Sequence, residues 1–531
     1  MNAANYVVTQ NLLGQFMHAW YENQVSVCAR GLFTEDARVD IPERDICVKG
    51  IGSIEAEFRQ LEDLRSQYGV FRDIHLTHSP AFTELMDGTC LLACDTYSFE
   101  PCKENGILIN KVEYFFTRIN IRCRQEHGVL KIYKLFWREL QGMTPWNWDA
   151  AKHFAASKIN TRTKPQPSGP IAPEDYLPVR NLATRFTQCN RKDAAMDFVK
   201  REDAVLDIPI LTEKQTGYDQ IARRLHELEQ LEEKNDRMYL CIPTLGSPYV
   251  AMEGKYAVSC WMTMTFGLRG KAYGRSKEEA LIARSVGRTK VTCEKIRGEW
   301  KILSYIYEPA YGLDDIAWVP SDRYNVMQCE DNTWREWTEK GAGGTMADVE
   351  EIENMIAEWT YGQRFQMPDF MDCHMDILHP EDLKVLITGS TKEPNIGYES
   401  VRKRLTHPQA NDIGGFDRKE KTPGYHTGST PLVEIAEDGI HAKGTWIDFA
   451  MVDVGGLMGI PKYPKRYMLT VGRYFHSFIK EEGRWKQSFV GWDPLLTLPD
   501  MPYDPDKCRG YICRLENTFD FPPMFENFGE Y

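Results

Sequence analysis

Three times along the chain, alternating apolar and polar positions run up to a glycine turn and out again. The stretches are "YFFTRINIRCRQEHGVLKIYKLFWREL" from Tyr114, "SVGRTKVTCEKIRGEWKILSYIYEPA" from Ser285 and "VGRYFHSFIKEEGRWKQSFVGWDPL" from Val471. A period of two marks strands with one buried face, and a glycine between two such runs marks a hairpin. Each copy places an aromatic (Trp137, Tyr307 or Trp492) nine residues after its glycine (Gly128, Gly298 or Gly483). Upstream, acidic pairs (Glu35-Asp36, Glu202-Asp203, Glu381-Asp382) precede a short strand-like run, and Gly50, Gly217 and Gly397 then open a helical pattern. These glycines lie roughly 170 residues apart, a period of domain size, so each copy can bury its own core. In the third copy "ADVEEIENMIAEWTYGQRF" carries Ile352, Met355, Ile356 and Trp359 at helical spacing. Helices first and consecutive hairpins afterwards predict an α+β fold, a curved antiparallel sheet wrapped around N-terminal helices, with a conical pocket.

The expected organisation is three tandem domains at 1–145, 173–322 and 347–497, with linkers at 146–172 and 323–346 and an extension at 498–531. The 531 residues fit three domains of ordinary size. A net charge of −13 argues against nucleic acid and anionic membrane as partners. No apolar run approaches the roughly 18 residues of a membrane span, and "MNAANYVVTQNLLGQF" lacks a secretory pattern, so a cytoplasmic protein is expected. The 14 cysteines are scattered and do not recur between copies, which speaks for reduced thiols and against a metal site. "GAGG" at 341–344 has no feeding strand and no following Gly-Lys-Ser/Thr, so it is not a phosphate loop.

The order of these motifs, with a His five residues before a Pro, a "DG" hairpin and "GRYxxxFxxxxGRW", resembles the SnoaL-like group of the nuclear transport factor two-like superfamily. The resemblance covers about 130 residues three times and implies cone-shaped α+β barrels. Members include polyketide cyclases, scytalone dehydratase, a bile-acid dehydratase and ketosteroid isomerase, alongside binding proteins without chemistry. In the dehydratase-like members a pocket His acts as general base beside a carboxylate and a tyrosine. An imidazole can take a proton at neutral pH, and a carboxylate both orients it and stabilises its cation.

On that pattern His426 (before Pro431) and His75 (before Pro80) are the candidate bases, while the second copy has Pro243 and no base. The next strand offers Asp448 beside Trp446 in the third copy and Asp95 beside Tyr97 in the first. The second copy has Trp261 and Thr263 there. The resemblance carries the pocket tyrosine to Tyr361, and less directly to Tyr21. Arg473 and Phe475 are candidate substrate contacts, although an arginine at a strand start is more often solvated or ion-paired, and Phe475 and Trp446 are core or pocket wall first. The expected function is a cofactor-independent lyase or isomerase, most concretely a dehydratase acting on a small hydrophobic ring compound, with no metal. His426 would be the base, Asp448 would orient it and Tyr361 would assist departure of hydroxide. The rival is a hydrophobic-ligand-binding or scaffold protein. Because several dehydratases of the group it resembles assemble as trimers, three tethered copies are expected to form a pseudo-trimeric monomer, with a homodimer as the alternative.

Overall fold

At one place in each repeat a non-glycine residue stands in the left-handed region immediately before a proline. These are Ser79 (φ 47°) before Pro80, Ser247 (φ 50°) before Pro248 and Thr430 (φ 54°) before Pro431. The strand pairing slips there, between His78 and Ala81, Gly246 and Tyr249, and Ser429 and Leu432. A bulge of this kind bends the strand and raises its twist, which is how a sheet curves into a cone. The computed structural model describes residues 3–66, 73–104, 107–142, 146–147, 170–188, 191–234, 239–271, 279–318, 344–364, 378–379, 383–387, 395–400, 426–453 and 466–502. The linkers and the extension expected from sequence fall largely outside the described residues.

The first repeat runs α1 (Ala3–Tyr21), α2 (Val25–Leu32), β1 (Phe33–Ile41), β2 (Ile46–Lys49), α3 (Ile51–Ser66), β3 (Ile74–Glu84), β4 (Cys90–Glu104), β5 (Ile107–Glu126), β6 (Val129–Gly142) and β7 (Trp146–Asn147). Its sheet order is β2-β1-β6-β5-β4-β3, with β1 parallel to β6. The second repeat has α4 (Pro173–Gln188), α5 (Arg191–Met196), β8 (Val205–Asp207), β9 (Gln215–Thr216), α6 (Tyr218–Lys234), β10 (Tyr239–Glu253), β11 (Tyr256–Lys271), β12 (Glu279–Ile296) and β13 (Glu299–Trp318). The third has α7 (Met346–Arg364), β14 (Lys384–Ile387), β15 (Asn395–Ile396), β16 (Ser429–Ile435), β17 (His441–Asp453), β18 (Arg466–Glu481) and β19 (Arg484–Pro502). In these two repeats the long strands again run in antiparallel succession, and β8 and β14 lie parallel to β13 and β19.

The repetition extends to single bonds. The last hairpin of each copy turns through two left-handed residues, His127-Gly128, Arg297-Gly298 or Glu482-Gly483, the type I′ geometry that matches strand twist. The Gly50, Gly217 and Gly397 amides donate to the carbonyls of Ala37, Ala204 and Leu383. In the second repeat Asp175 Oδ1 accepts from Trp300 Nε1 (2.8 Å) and Lys295 Nζ (2.7 Å), tying the opening helix to the last hairpin. Asp348 does the same in the third with Trp485 Nε1 (3.0 Å) and Lys480 Nζ (2.5 Å).

The chain divides into two compact units, the first holding repeat one and most of repeat two, and the second holding repeat three together with residues 270–281 and 316–318. Within the first unit, one face of α1 meets β10. The Asn11 carboxamide donates to Val250 O and accepts from Val250 N, both at 2.9 Å, as a backbone strand would. Ser247 Oγ donates to His75 O (2.7 Å) and accepts from Thr77 N (2.9 Å), joining edge strands β3 and β10. The half-buried pair Glu22–Arg288 spans the two repeats.

His18 Nε2 lies 3.2 Å from Ser247 O, an acceptor only, so the ring donates from Nε2. Burial, reinforced by the Arg288 charge, pulls the His18 pKa down to about 3. The folded state therefore holds His18 neutral, whereas the unfolded chain takes up a proton near pH 6.5. This contribution to stability is fully present above that value and is lost as pH falls from 6.5 toward 3. Urea midpoints of the first unit at pH 7 and pH 5 should differ accordingly, and His18→Gln, which keeps a donor without the titration, should flatten part of the difference. A pH-independent midpoint would rule out the buried neutral ring.

Candidate functional site

In the third repeat the register brings four side chains to one face. Trp446 on β17 pairs with Tyr474 on β18, and Tyr474 with Trp492 on β19, while Asp448 lies two residues from Trp446 and so on the same side. His426 enters just before β16. Its Nδ1 is 3.1 Å from Asp448 Oδ2 and 3.1 Å from the Tyr474 hydroxyl. Asp448 is fully buried and is further held by Thr427 N on Oδ1 (2.9 Å) and Trp492 Nε1 on Oδ2 (2.8 Å). The carboxylate only accepts, so the imidazole carries its proton on Nδ1, leaving the Nε2 lone pair as the basic atom. The His426 side chain is 21% exposed while Asp448 is 0% exposed. The base is therefore reachable and its partner is not.

Of the other residues the sequence nominated here, Trp446 lines this face, edge-on to His476 at 5.4 Å. Arg473 and Phe475 do not. They alternate with Tyr474 along β18, opposite Ile447 and Thr445, and so point to the other side of the sheet. Tyr361 belongs to α7, but its side chain lies outside the described residues. Tyr474 is the hydroxyl the sequence reading missed. The signal was present, because extending the alternation from Trp446 across the ladder lands on it.

The first repeat is built differently. His75 is 2% exposed, and its Nδ1 meets Ser98 Oγ at 2.8 Å rather than a carboxylate. Asp95 is bound to Arg118 through Nε (3.1 Å) and Nη2 (3.0 Å) on the opposite face. Tyr97 is also there, against His78 and Phe116. Counted from the bulge, the position of Asp448 is taken by Thr96, so pairing His75 with Asp95 was wrong by one residue. Nor does Tyr21 enter the cone, because it lies under Arg288 of the second repeat at 5.5 Å. Trp20 fills that place and packs against His75 and Trp137.

Burial above all, with Arg44 and Arg65 nearby, pushes the His75 pKa well below its ordinary value. Asp73, His75 and Glu100 could each present a ligand atom within 4.8 Å of the others. The carboxylates are already engaged, however: Arg44 pairs with Glu100 and Asp73, and Arg65 with Asp73 at 3.0 Å. Both guanidiniums lie over the Trp20 ring, at 5.2 and 5.4 Å. The second repeat presents hydroxyls: Thr263 to Thr289 (2.8 Å) and Ser285 to Tyr307 (2.7 Å), with Pro243 at the base position as expected.

No family model matches the sequence, and no curated protein matches it. Solved structures do. A scytalone dehydratase candidate from Novosphingobium aromaticivorans DSM 12444 is similar at 18% identity over 29% of this chain and 87% of its own, with TM-score 0.23. Hexachlorocyclohexane dehydrochlorinase LinA type 3 from Novosphingobium barchaimii LL02 is similar at 17% over 28% and 94%, with TM-score 0.23. A protein from Novosphingobium aromaticivorans described as nuclear transport factor two-like, with a cystatin-like fold, gives 15% over 26% and 82%, with TM-score 0.21. Scores this low carry no argument about chemistry. Helices laid against a curved antiparallel sheet whose first strand returns parallel to its last form an α+β cone, and the same strand arrangement recurs along this chain.

Proposed function

We propose that the third repeat is a cofactor-independent proton-transfer site, a lyase or isomerase of dehydratase type acting on a small hydrophobic ring compound with an acidic C–H. The observation that supports it is the His426–Asp448 pair, a partly exposed imidazole oriented by a buried carboxylate that three donors hold in place. His426 Nε2 takes the proton from carbon while Asp448 stabilises the imidazolium that forms. Tyr474 takes the role the sequence gave Tyr361, donating to the enolate or departing hydroxide. The C–H and C–O bonds break, a C=C bond forms, and the abstracted proton leaves with hydroxide as water, so no oxidant enters. For the first two repeats the non-catalytic reading holds, since His75 is enclosed and neutral and Pro243 cannot titrate. The test is a panel of cyclic β-hydroxyketones in deuterated water. Deuterium at the α-carbon and loss of water are the expected outcome, and no exchange across the panel would leave ligand binding alone for the third repeat.

A further inference from the structure

His476 and Gln487 lie inside the third cone, 2% and 0% exposed, with His476 Nδ1 3.1 Å from Gln487 Oε1. His476 sits beside Tyr474, with ring centroids 5.5 Å apart, on the face that carries the His426 site. Counted from the last hairpin glycine, the same two positions hold Ile121 and Ile132 in the first repeat and Val291 and Ile302 in the second. All four are buried core residues. The third repeat alone thus puts two polar side chains where its sisters put aliphatic ones.

They satisfy each other only in part. Among the described residues, His476 Nε2 and Gln487 Nε2 are buried without a hydrogen-bond partner. Burial also pulls the His476 pKa down to about 3, so its ring is neutral. The carboxamide oxygen accepts from Nδ1–H, leaving a lone pair on His476 Nε2 and an N–H on Gln487. Turning the amide over exchanges the roles but still leaves one donor and one acceptor. Leaving polar atoms unpaired in a core is costly, and one mutual bond of a structural pair does not repay it. A hydroxyl is the small group that accepts and donates at once. We infer that His476 and Gln487 form a specificity subsite for a hydroxyl on the ligand, away from the carbon that His426 attacks.

This inference rests on the third cone being a ligand site and names the ligand class as a hydroxylated ring compound. The full chain is titrated with 2-naphthol and with naphthalene. The expected preference for 2-naphthol is about tenfold or more, since a site built to bond a hydroxyl rejects the analogue without it. His476→Val/Gln487→Ile, the pair the second repeat already accommodates, should abolish the preference. It should also raise the unfolding midpoint, because two unpaired polar groups leave the core. A preference that survives the double substitution, equal binding of the probes, binding of neither, or a midpoint that falls overturns the subsite. His426→Ala should keep the preference, so a failed turnover screen with the preference intact counts against the chemistry and not against the subsite.

Discussion

His426→Ala is expected to lower turnover by about 10²–10⁴-fold, the contribution of a positioned general base, without moving the unfolding midpoint. The side chain is partly exposed, so its removal leaves little cavity. Asp448→Asn should be at least as severe, on the order of 10⁴-fold, because an amide fixes the wrong tautomer of its histidine. Thr427 N–H requires an oxygen at Oδ1, so the new NH2 must stand at Oδ2, facing Trp492 Nε1–H and His426 Nδ1. It would donate to Nδ1, move the imidazole proton to Nε2 and block the basic atom. Steady-state rates of the two variants decide the matter, with Pro243→His as the control expected to change little. Full activity in His426→Ala eliminates this base.

Gly14→Ala should break the contact between the first two repeats. Asn11, Gly14 and His18 share one face of α1, and a Cβ at Gly14 would lie 2.0 Å from Pro248 O and 2.7 Å from its carbonyl carbon. Both are backbone atoms that no rotamer change can move aside. Because Asn11 and His18 tie the helix to the strand on either side, through Val250 and the Ser247 carbonyl, the overlap is relieved only by giving those bonds up. The cost should be about 3 kcal/mol, the upper range for overpacking, read as a lower urea midpoint. Gly31→Ala is the matching control, since nothing lies within 4 Å of that position and a helical alanine is favoured. An unchanged midpoint for Gly14→Ala would show that α1 and β10 do not meet as described.

The repeat itself was plain in the sequence because turns are written locally. The glycine hairpins, the X-Pro bulges and the alternation around them each need particular residues within a few positions. His426 and Asp448 were legible for the same reason, being placed by one bulge and one period of two. What failed was register. The hairpin between Glu84 and Cys90 differs in length from those between Glu253 and Tyr256 and between Ile435 and Ala442, so counting along the chain shifted Asp95 by one and turned it to the other face. Arg473 and Phe475 failed likewise, as the face of β18 is set by its partners and not by its own pattern. Contacts between repeats, such as Tyr21 with Arg288, left no local mark at all.

The parallel strand in each repeat carries a consequence for how the chain reaches this state. It joins the first strand to the last, Phe33 to Ile132, with bridges at Phe198–Ile302 and Leu378–Gln487 in the other copies. The hairpins can zip from their turns, but this pairing must await closure of a loop of roughly a hundred residues, an entropic step that favours late formation. Three similar loops in one polypeptide offer three similar landing strands, so a first strand can be captured by the wrong repeat, the swap to which tandem domains are prone. Divergence at the landing positions works against it. Gln487 in place of Ile302 or Ile132 makes a misdirected strand meet an amide where it requires an aliphatic surface, so the residue that equips the third cone for a ligand also marks it as a different address during folding.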